Sequence, residues 1–506
     1  MNTSDFNSLN LSNPKSAVNL NSGFPDPSLI EKLAREFYGT LNSLGSVPLK
    51  TGAFSSDPLK DTSAFTSTAL SLTGITSDFR NFPGIEGSKN LSQFPSGSQH
   101  VGTARRDFPI LSEKVNGKDL VWLDNAATTQ KPNAVIDRLT YFYQHENSNI
   151  HRAAHSLAAR STDAYEKARS LVKDFLHAPS TDEIIFVRGA TEGINLISNI
   201  LGDKFIQSGD EILITHLEHH ANIVPWQMLC YKKNAKLKVV PVDDSGQIIL
   251  SEYERLLTSK TKIVSITHVS NALGTITPVE DMTRSAHKIG AIVIIDGAQS
   301  VSHMPIDVQA IDCDFFVFSG HKVFAPTGIG AVFGKKSILD TLPPWQGGGN
   351  MIQDVTFDHT TFQNAPFRFE AGTGNIADAV GLGAAIEYLN RFGMSQISNY
   401  EHDLLEYGTK ELKKIPGLHL IGTASNKASV LSFILDGYKT EDVGKALANE
   451  GIAVRAGHHC AQPILRRFGL ESTVRPSLAF YNTCEDIDAT IRVLYDLIGG
   501  KRSGFF

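Results

Sequence analysis

The 506-residue chain has little of what membrane, disulfide-rich or nucleic-acid-binding proteins contain. Its four cysteines are too few for a disulfide framework at this length and suit a reducing compartment such as the cytoplasm. It has no apolar run near the ~18 residues that a membrane span needs. The net charge of −6 gives no electrostatic reason to expect nucleic acid or an anionic membrane as a partner. We therefore predict a cytoplasmic protein, with more than one domain because of its length.

Residues 1–104 differ in composition from the rest of the chain. They are rich in Ser, Asn, Thr, Gly and Pro and low in charge, which predicts a flexible arm. Asp26 and Pro27 can cap a short amphipathic helix near residues 27–41. Its apolar stripe consists of Leu29, Leu33, Phe37 and Leu41. Such a stripe is buried in a partner's groove or on the protein's own surface. A transit peptide, which would imply a plastid location, is the remaining alternative. The acidic residues and the few arginines of the arm argue against it.

The remainder of the chain predicts two domains. Residues 105–390 alternate short β-branched runs with helical stretches, which predicts an α/β domain with a mostly parallel sheet and helices on both faces. The clearest of these strands are predicted at 236–240, 262–266 and 330–333. Residues 391–506 follow a different order and predict a smaller α+β domain that carries Cys460.

A buried strand over residues 314–318 runs into a polar turn that ends on Lys322. A lysine at such a strand end lies where α/β proteins bind ligands, and partial burial lowers its pKa, so that the neutral amine can form a Schiff base. Upstream, the strand 292–295 ends on Asp296. Alone, these residues are typical of a solvated turn lysine and a capping acid. Together they are the amine and the carboxylate that pyridoxal 5'-phosphate (PLP) needs, for its aldehyde and its pyridine nitrogen.

PLP also needs a phosphate cradle and a group over its ring. Residues 183–196 predict a strand, a glycine-bearing turn and a helix, with Thr191 at the helix N-terminus. That position binds phosphate, although an ordinary cap residue is the simpler alternative. Another strand, 211–215, leads to His219, whose imidazole would stack on the ring and shuttle protons near neutral pH. An isolated histidine would more often lie on the surface, so this assignment depends on the lysine and the aspartate.

The run 452–461 contains the candidate nucleophile, Cys460. Arg455 and the two imidazoles that precede the cysteine would lower its pKa from about 8.5 and favour the thiolate. A His-His-Cys cluster can also bind zinc, but no further ligand pair follows at a suitable spacing, so we predict no metal. Arg475, near a predicted strand end, would clamp a substrate carboxylate, or else form an ordinary salt bridge.

The chain resembles the SUF-type (group II) cysteine desulfurases over about residues 105–500. The motifs that carry the resemblance are Ser319-Gly320-His321-Lys322, Asp296-Gly297-Ala298-Gln299, Glu218-His219-His220-Ala221-Asn222 and Arg455-Ala456-Gly457-His458-His459-Cys460-Ala461. The resemblance implies a PLP-dependent transferase of fold-type I that forms a homodimer. It also implies that a stretch near residues 107–122 joins the small domain.

The same resemblance implies a role for each site residue. Lys322 holds PLP as a Schiff base, and Asp296 pairs with the pyridine nitrogen. Gln299 contacts the ring hydroxyl, and His219 stacks on the ring as the acid–base group. The implied phosphate ligands are Thr191, Ser319, His321 and, contributed across a homodimer interface, Thr373. The implied ligands of the substrate carboxylate are Asn271, Arg475 and Arg455. Cys460 is the implied sulfur acceptor.

The activity that the resemblance implies is the conversion of L-cysteine to L-alanine, which leaves a persulfide on Cys460. The sulfur then passes to a sulfur-acceptor protein for iron–sulfur cluster assembly or sulfur storage. A selenocysteine lyase is the alternative, since selenocysteine is chemically similar. An aminotransferase has no use for a thiol nucleophile, and a catalytically silent scaffold has no use for Lys322 and Cys460 together.

The arm carries a second, shorter resemblance. Phe24-Pro25-Asp26-Pro27 and Leu33-Ala34-Arg35-Glu36-Phe37-Tyr38 are similar to the arms of cysteine desulfurases packaged in encapsulin nanocompartments. The resemblance implies that residues 1–104 load the protein into an encapsulin shell.

Overall fold

The structure is a computed structural model that describes residues 101–150 and 154–502. The predicted arm helix over residues 27–41 lies outside this part of the chain. The strands are β1 (Lys114–Val115), β2 (Lys118–Asp119), β3 (Val121–Trp122), β4 (Ile184–Val187), β5 (Glu211–Thr215), β6 (Lys236–Val240), β7 (Thr261–Thr267), β8 (Ile292–Asp296), β9 (Phe315–Ser319), β10 (Gly330–Gly334), β11 (Ile352–Val355), β12 (Thr360–Phe362), β13 (Leu418–Leu420), β14 (Phe433–Leu435), β15 (Ile452–Ala453), β16 (Arg455–Gly457) and β17 (Thr473–Arg475).

The helices alternate with these strands along most of the chain. They are α1 (Asn133–His145), α2 (Ser156–Phe175), α3 (Ala190–Phe205), α4 (Val224–Lys233), α5 (Leu250–Leu256), α6 (Val279–Lys288), α7 (Val308–Ile311), α8 (Lys336–Leu339), α9 (Ile376–Asn390), α10 (Met394–Leu412), α11 (Thr440–Asn449), α12 (Gln462–Arg467) and α13 (Cys484–Arg502). Two short 3-10 turns, His220–Asn222 and Gly320–Lys322, also matter for the site. In the part of the chain that the structure describes, no helix combines the length and the apolar character that a bilayer span requires.

The large sheet has seven strands in the order β4-β10-β9-β8-β7-β5-β6. The five strands from β9 to β6 are parallel, whereas β10 runs antiparallel to both of its neighbours. Asp296 lies opposite Thr267 on β7 and Val317 on β9, so β7, β8 and β9 present their carboxyl ends at one edge. The predicted α/β fold with a mostly parallel sheet is therefore confirmed.

Both faces of this sheet are covered by helices. On β9, Phe316 and Phe318 point into one hydrophobic cluster, which includes residues of α2, α6 and α9. The alternate residues Phe315 and Val317 point into a second cluster with residues of α3 and α4. Because successive side chains of a strand point to opposite faces, a strand buried on both faces must be apolar throughout, as β9 is.

A smaller antiparallel sheet, in the order β13-β14-β17-β16, is formed by the C-terminal residues. The N-terminal segment of the described chain contacts this region. β3 pairs with β15 in parallel, and Arg105 lies 3.0 Å from Asp486 of α13. These contacts involve the stretch near residues 107–122, while the proposed domain boundary at residue 390 stays a prediction.

Candidate active site

Lys322 ends the 3-10 turn that follows β9. All five residues of β9 are buried, so the strand fixes the turn at the carboxyl edge of the sheet. Burial lowers the pKa of Lys322 to about 8, although the negative charge of Asp296 opposes this shift. A substantial fraction of the amine is therefore neutral in mildly alkaline solution, which is the form that reacts with a carbonyl carbon.

Asp296 is the last residue of β8 and is 4% exposed. Its Oδ1 accepts a hydrogen bond from the backbone N–H of Ala298 at 3.0 Å. Burial raises the pKa of this carboxyl, whereas the Ala298 N–H and the charge of Lys322 lower it. A carboxylate with one backbone donor, at the edge of a cavity, is suited to hold a positively charged N–H group of a ligand.

The N-terminus of α3 forms a cradle beside the end of β9. Gly189 has a φ of 153°, and a Cβ there would lie 3.0 Å from the Ser319 hydroxyl oxygen, so the turn requires glycine. The same hydroxyl accepts a hydrogen bond from the N–H of Ala190 at 2.9 Å. The hydroxyl of Thr191, at the second position of the helix, and the free N–H groups of a first helical turn make such a cradle an anion site.

His219 lies where the chain leaves β5 for the 3-10 turn His220–Asn222. Its Nδ1 accepts the N–H of Ala221 at 3.0 Å, which leaves Nε2 as the protonated nitrogen. Burial, followed by the charge of Lys322, lowers the pKa of His219 to about 3. The imidazole of His219 is therefore neutral in the protein without a bound ligand and can donate through Nε2, while its role as the acid–base group stays a prediction.

Glu218 fixes the turn that carries His219, a role that the sequence analysis missed. Its carboxyl is fully buried and accepts hydrogen bonds from the Thr215 hydroxyl at 2.6 Å, the Asn222 amide at 2.6 Å and the Thr267 N–H at 3.0 Å. Burial raises the pKa of Glu218 to about 8. The available signal was an acid placed directly between a buried strand and a candidate catalytic histidine.

Cys460 lies on a short loop between β16 and α12 and is half-buried. Its N–H donates to Nδ1 of His458 at 3.1 Å, and its carbonyl accepts the N–H of His220 at 2.8 Å. Both His459 and Cys460 have a φ of 54°, a left-handed conformation that costs non-glycine residues about 1–3 kcal/mol each. The hydrogen bonds on both sides of the cysteine hold this strained backbone in place.

His459 is an anchor of this loop rather than a source of charge. Its Nε2 lies 2.8 Å from the Thr473 hydroxyl, and its carbonyl accepts the side-chain amide of Asn271 at 2.7 Å. Burial lowers the pKa of His459 to about 2, so this imidazole is neutral. The prediction that both imidazoles before Cys460 supply positive charge to the thiol is therefore wrong for His459.

Arg475 is the last residue of β17 and is 1% exposed. Its guanidinium donates to the carbonyl of Asn271 at 2.9 Å and lies 3.1 Å from Asp124, a residue that the sequence analysis missed. Burial lowers its pKa to about 10, so the group stays charged at neutral pH. Its Nε is buried and has no partner among the described residues, while Nη1 and Nη2 each carry a second N–H, so the guanidinium keeps donors beyond these two contacts. Arg455 on the neighbouring strand β16 faces it in register.

Asn271 lines the same cavity as Arg475, and its role as a carboxylate ligand stays a prediction. One N–H of its Nδ2 donates to the carbonyl of His459 at 2.7 Å, which leaves the second N–H for a ligand. Its Oδ1 is buried and has no partner in the described part of the chain.

One cavity of about 170 Å³ brings nearly all of the predicted site residues together. Those that line it are Lys322, Asp296, Gln299, His219, Thr191, Ser319, His321, Asn271, Arg455, Arg475 and Cys460. Gln299 is held there by a 2.7 Å hydrogen bond from its Nε2 to the carbonyl of Ala126. Thr373 is the exception: it is exposed and lies with Glu370 beside two other cavities.

The lining of this cavity fits PLP. Asp296 can pair with a pyridinium nitrogen, Lys322 can bond an aldehyde carbon, and the glycine turn before α3 leaves room for a phosphate. Within residues 101–150 and 154–502, no group of three His, Cys, Asp or Glu side chains could hold a metal ion.

Residues 121–490 match the model of the family Aminotransferase class-V. A cysteine desulfurase of Escherichia coli (strain K12 / DH10B) is 47% identical over 392 residues, which are 77% of this chain and 96% of that protein. The chain belongs to the cysteine desulfurases of the class-V aminotransferase family. This family uses PLP, which confirms the predicted cofactor.

Two solved cysteine desulfurases share the fold. The crystal structure of one from Escherichia coli has a TM-score of 0.73 at 37% identity and covers 80% of this chain and 99% of that chain. An apo structure from Thermococcus onnurineus NA1 has a TM-score of 0.75 at 37% identity, with 78% and 98% covered. The predicted fold-type I architecture is therefore confirmed.

More similar cysteine desulfurases are longer than the matched segment. The cysteine desulfurase of Synechococcus elongatus is 67% identical over 388 residues, which are 77% of this chain and 62% of that protein. A probable cysteine desulfurase of Mycolicibacterium paratuberculosis is 62% identical over 400 residues, 79% of this chain and 58% of that protein. The chain thus spans less than two thirds of the length of these two relatives.

Proposed function

We propose that the protein is a PLP-dependent cysteine desulfurase that converts L-cysteine to L-alanine and collects the sulfur on Cys460. The observation that carries this proposal is that Lys322, Asp296, Arg475 and Cys460 line a single cavity. An amine, an acid and a guanidinium are common to many PLP sites, whereas a thiol in the same cavity is what a sulfur transfer requires.

Substrate binding follows from the donors around Arg475. The guanidinium groups of Arg475 and Arg455 and the second Nδ2 N–H of Asn271 bind the carboxylate of the amino acid. Two cations in one cavity favour a substrate that carries a carboxylate over a simple amine.

PLP, when bound, supplies an electron-accepting ring that stabilises negative charge at the substrate α-carbon. Lys322, with its pKa lowered by burial, takes the α-proton as a neutral amine. His219 lines the same cavity with its Nε2–H free to donate, and it serves as the acid–base group that exchanges protons with the substrate. Asp296 stays negatively charged beside the bound ring.

The sulfur transfer is carried out by Cys460. Its thiolate attacks the sulfur of the substrate, so that a sulfur–sulfur bond forms while the carbon–sulfur bond breaks. The electron pair of the broken bond stays with the carbon skeleton, which takes up protons and leaves as L-alanine. The loop that carries Cys460 is hydrogen-bonded to His220, and a short, fixed loop of this kind supports the SUF type, in which the persulfide passes to a dedicated acceptor protein. We assign that sulfur to iron–sulfur cluster assembly or sulfur storage.

The decisive experiment follows both products from the full-length, PLP-loaded protein. With L-cysteine and a reductant we expect alanine and sulfide in equal amounts, and without the reductant a mass increase of one sulfur atom on the peptide that contains Cys460. Pyruvate in place of alanine, or sulfide without modification of Cys460, would contradict the proposal. The same assay with L-selenocysteine tests the alternative, a selenocysteine lyase.

We further propose a homodimer in which each subunit lends Thr373 to the phosphate cradle of the other. The exposure of Thr373 and its absence from the lining of the Lys322 cavity in one subunit support this arrangement. Mixing inactive Lys322→Ala and Thr373→Ala subunits tests it, since each mixed dimer then regains one intact site. Activity that does not rise on mixing would exclude the shared site.

The arm, residues 1–104, is proposed to load the enzyme into an encapsulin shell in the cytoplasm. This proposal is supported by the sequence resemblance alone, because residues 1–100 lie outside the described part of the chain. Deleting residues 1–104 should leave desulfurase activity intact and abolish co-purification with a co-expressed shell protein. Encapsulation that persists without the arm would refute it.

A further inference from the structure

The backbone carbonyl of His321, directly before Lys322, is the target of several donors from one distant segment. They come from residues 128–131, which precede α1. The donors to this oxygen are the Thr129 N–H at 3.0 Å, the Thr128 hydroxyl at 3.0 Å, the Thr129 hydroxyl at 3.2 Å and the Lys131 amine at 3.3 Å. A carbonyl oxygen has two lone pairs, so these donors fully satisfy it and leave it no capacity for another partner.

Thr129 is hydrogen-bonded to the turn on both sides of Lys322. While its N–H and hydroxyl reach the carbonyl of His321, its hydroxyl oxygen accepts the N–H of Phe324 at 2.8 Å. Phe324 has a φ of 63°, a left-handed conformation that a bulky residue rarely adopts. Its ring is packed 4.8 Å from that of Phe480, centroid to centroid. The chain after Lys322 is thus strained and needs an external partner to keep its shape.

Lys131 is an unusual residue at its position. Its half-buried amine bonds only to the carbonyls of Thr129 and His321 and to the Thr128 hydroxyl, and it has no carboxylate partner among the described residues. Burial lowers its pKa to about 8. Burying an amine without a counter-ion is unfavourable, and an apolar side chain would fill the space at lower cost. The hydrogen bonds that the Lys131 amine donates are therefore the reason for a lysine at this position.

The segment that supplies these donors is itself held rigidly. The N–H of Gln130 donates to the hydroxyl of Tyr481 at 3.1 Å, and the side-chain amide of Asn125 donates to the carbonyl of Ser477 at 2.7 Å. The carbonyl of Ala126 accepts from Gln299 of the cavity. Because this segment is fixed by these hydrogen bonds, its donors also restrict the motion of the turn that carries Lys322.

We propose that Thr128, Thr129 and Lys131 are positioning residues that clamp the His321–Lys322 peptide and thereby hold the Lys322 amine in its reactive placement. None of the three lines the cavity, so they act through Lys322 and touch neither substrate nor cofactor. The consequence for turnover rests on the proposed function, whereas the clamp itself is a property of the cofactor-free protein.

The test uses isosteric and conservative variants of the full-length protein. Thr129→Val removes the hydroxyl at nearly constant volume, Thr129→Ser keeps it, and Lys131→Met removes the amine. In the cofactor-free protein, amide hydrogen exchange at Phe324 should become about tenfold faster in Thr129→Val, since its N–H loses its partner. Exchange in β6, on the far edge of the sheet, should not change.

The second readout is the rate at which the cofactor-free protein takes up PLP at Lys322, trapped with borohydride and followed by mass. We expect this rate to fall about tenfold in Thr129→Val and Lys131→Met and to stay near the wild-type rate in Thr129→Ser. Under the proposed function, kcat for L-cysteine falls by the same factor while KM is unchanged. The matched lysine control is Lys335→Met, because Lys335 also donates to a backbone carbonyl but lies at the opposite end of the sheet.

Two results would overturn the proposal: exchange at Phe324 that matches the wild type in Thr129→Val, or PLP uptake that is equally fast in the Val and Ser variants. If Thr129→Val does not fold, the same two measurements are made on Thr128→Val, because the half-exposed side chain of Thr128 then loses one hydrogen bond to the His321 carbonyl. A protein that takes up PLP normally but does not desulfurate L-cysteine would contradict the proposed function. The clamp would still be tested by hydrogen exchange at Phe324 and by the rate of PLP uptake.

Discussion

Asp124 Oδ1 lies 3.1 Å from the Nη2 atom of Arg475, although the two residues are 351 positions apart in the chain. Asp124 follows the short strand β3, and Arg475 ends β17. Burial raises the pKa of Asp124, while the charge of Arg475 opposes that shift. The guanidinium that we propose to bind the substrate carboxylate is thus oriented by an acid from the N-terminal segment, and the ion pair couples two distant parts of the chain.

Removing this acid should loosen Arg475 and weaken substrate binding. In Asp124→Ala, the buried guanidinium keeps one bond, to the Asn271 carbonyl, and loses its counter-ion. We expect a loss of about 1–3 kcal/mol in the free energy of unfolding, less than for a fully buried pair because Asp124 is partly exposed, and a KM for L-cysteine raised several-fold. Urea unfolding and steady-state kinetics measure the two effects. Asp124→Asn keeps an oxygen for Arg475 and should recover most of the KM; equal effects of Ala and Asn would contradict the orienting role.

Replacing the candidate nucleophile separates sulfur transfer from cofactor binding. Cys460→Ser should abolish sulfide release, because a hydroxyl cannot accept the substrate sulfur, while the absorbance of bound PLP survives through Lys322. Visible absorbance spectra and a sulfide assay check both expectations. Cys484→Ser is the matched control, since Cys484 is also half-buried and begins α13, outside the cavity. Loss of sulfide release in both variants would remove the special role of Cys460.

The amine of Lys322 should show its lowered pKa in the cofactor-free protein. Its reaction with PLP needs the neutral form, so the rate should rise with pH up to about 8 and then level off, whereas an ordinary lysine would still be rising at that pH. Asp296 raises the pKa of Lys322, so Asp296→Asn should move the midpoint to lower pH. Stopped-flow uptake of PLP across pH 6 to 10 measures this. A midpoint that moves upward in Asp296→Asn would show that the two groups do not interact as the structure indicates.

The residues that the sequence identified share one property: each lies at the end of a strong local pattern. Lys322 and Asp296 end buried strands, and the carboxyl ends of parallel strands meet at one edge, so their proximity followed from the pattern alone. The sequence could not identify Asp124, because its partner comes from the other end of the chain. It also could not indicate that His459 is a neutral anchor, since its burial depends on how the small sheet packs against the loop.

Buried histidines should make the protein sensitive to acid. Burial lowers the pKa of His268 to about 4, and those of His219, His321 and His459 are lowered as well. The unfolded chain takes up protons at these rings below about pH 6.5, and the folded protein does not, so stability is fully present above that pH and is lost as the pH falls.

His268 offers the clearest test of this acid sensitivity. It is 8% exposed, and its Nδ1 has no partner among the described residues, so His268→Met should preserve the packing while removing one proton-linked group. Between pH 7 and pH 5 the variant should lose up to about 2 kcal/mol less stability than the wild type. Urea unfolding at the two pH values provides the measurement, with exposed His359→Gln as the control that keeps the wild-type dependence. Identical pH dependence in His268→Met and the wild type would mean that His268 is protonated in the folded protein and that burial does not control its charge.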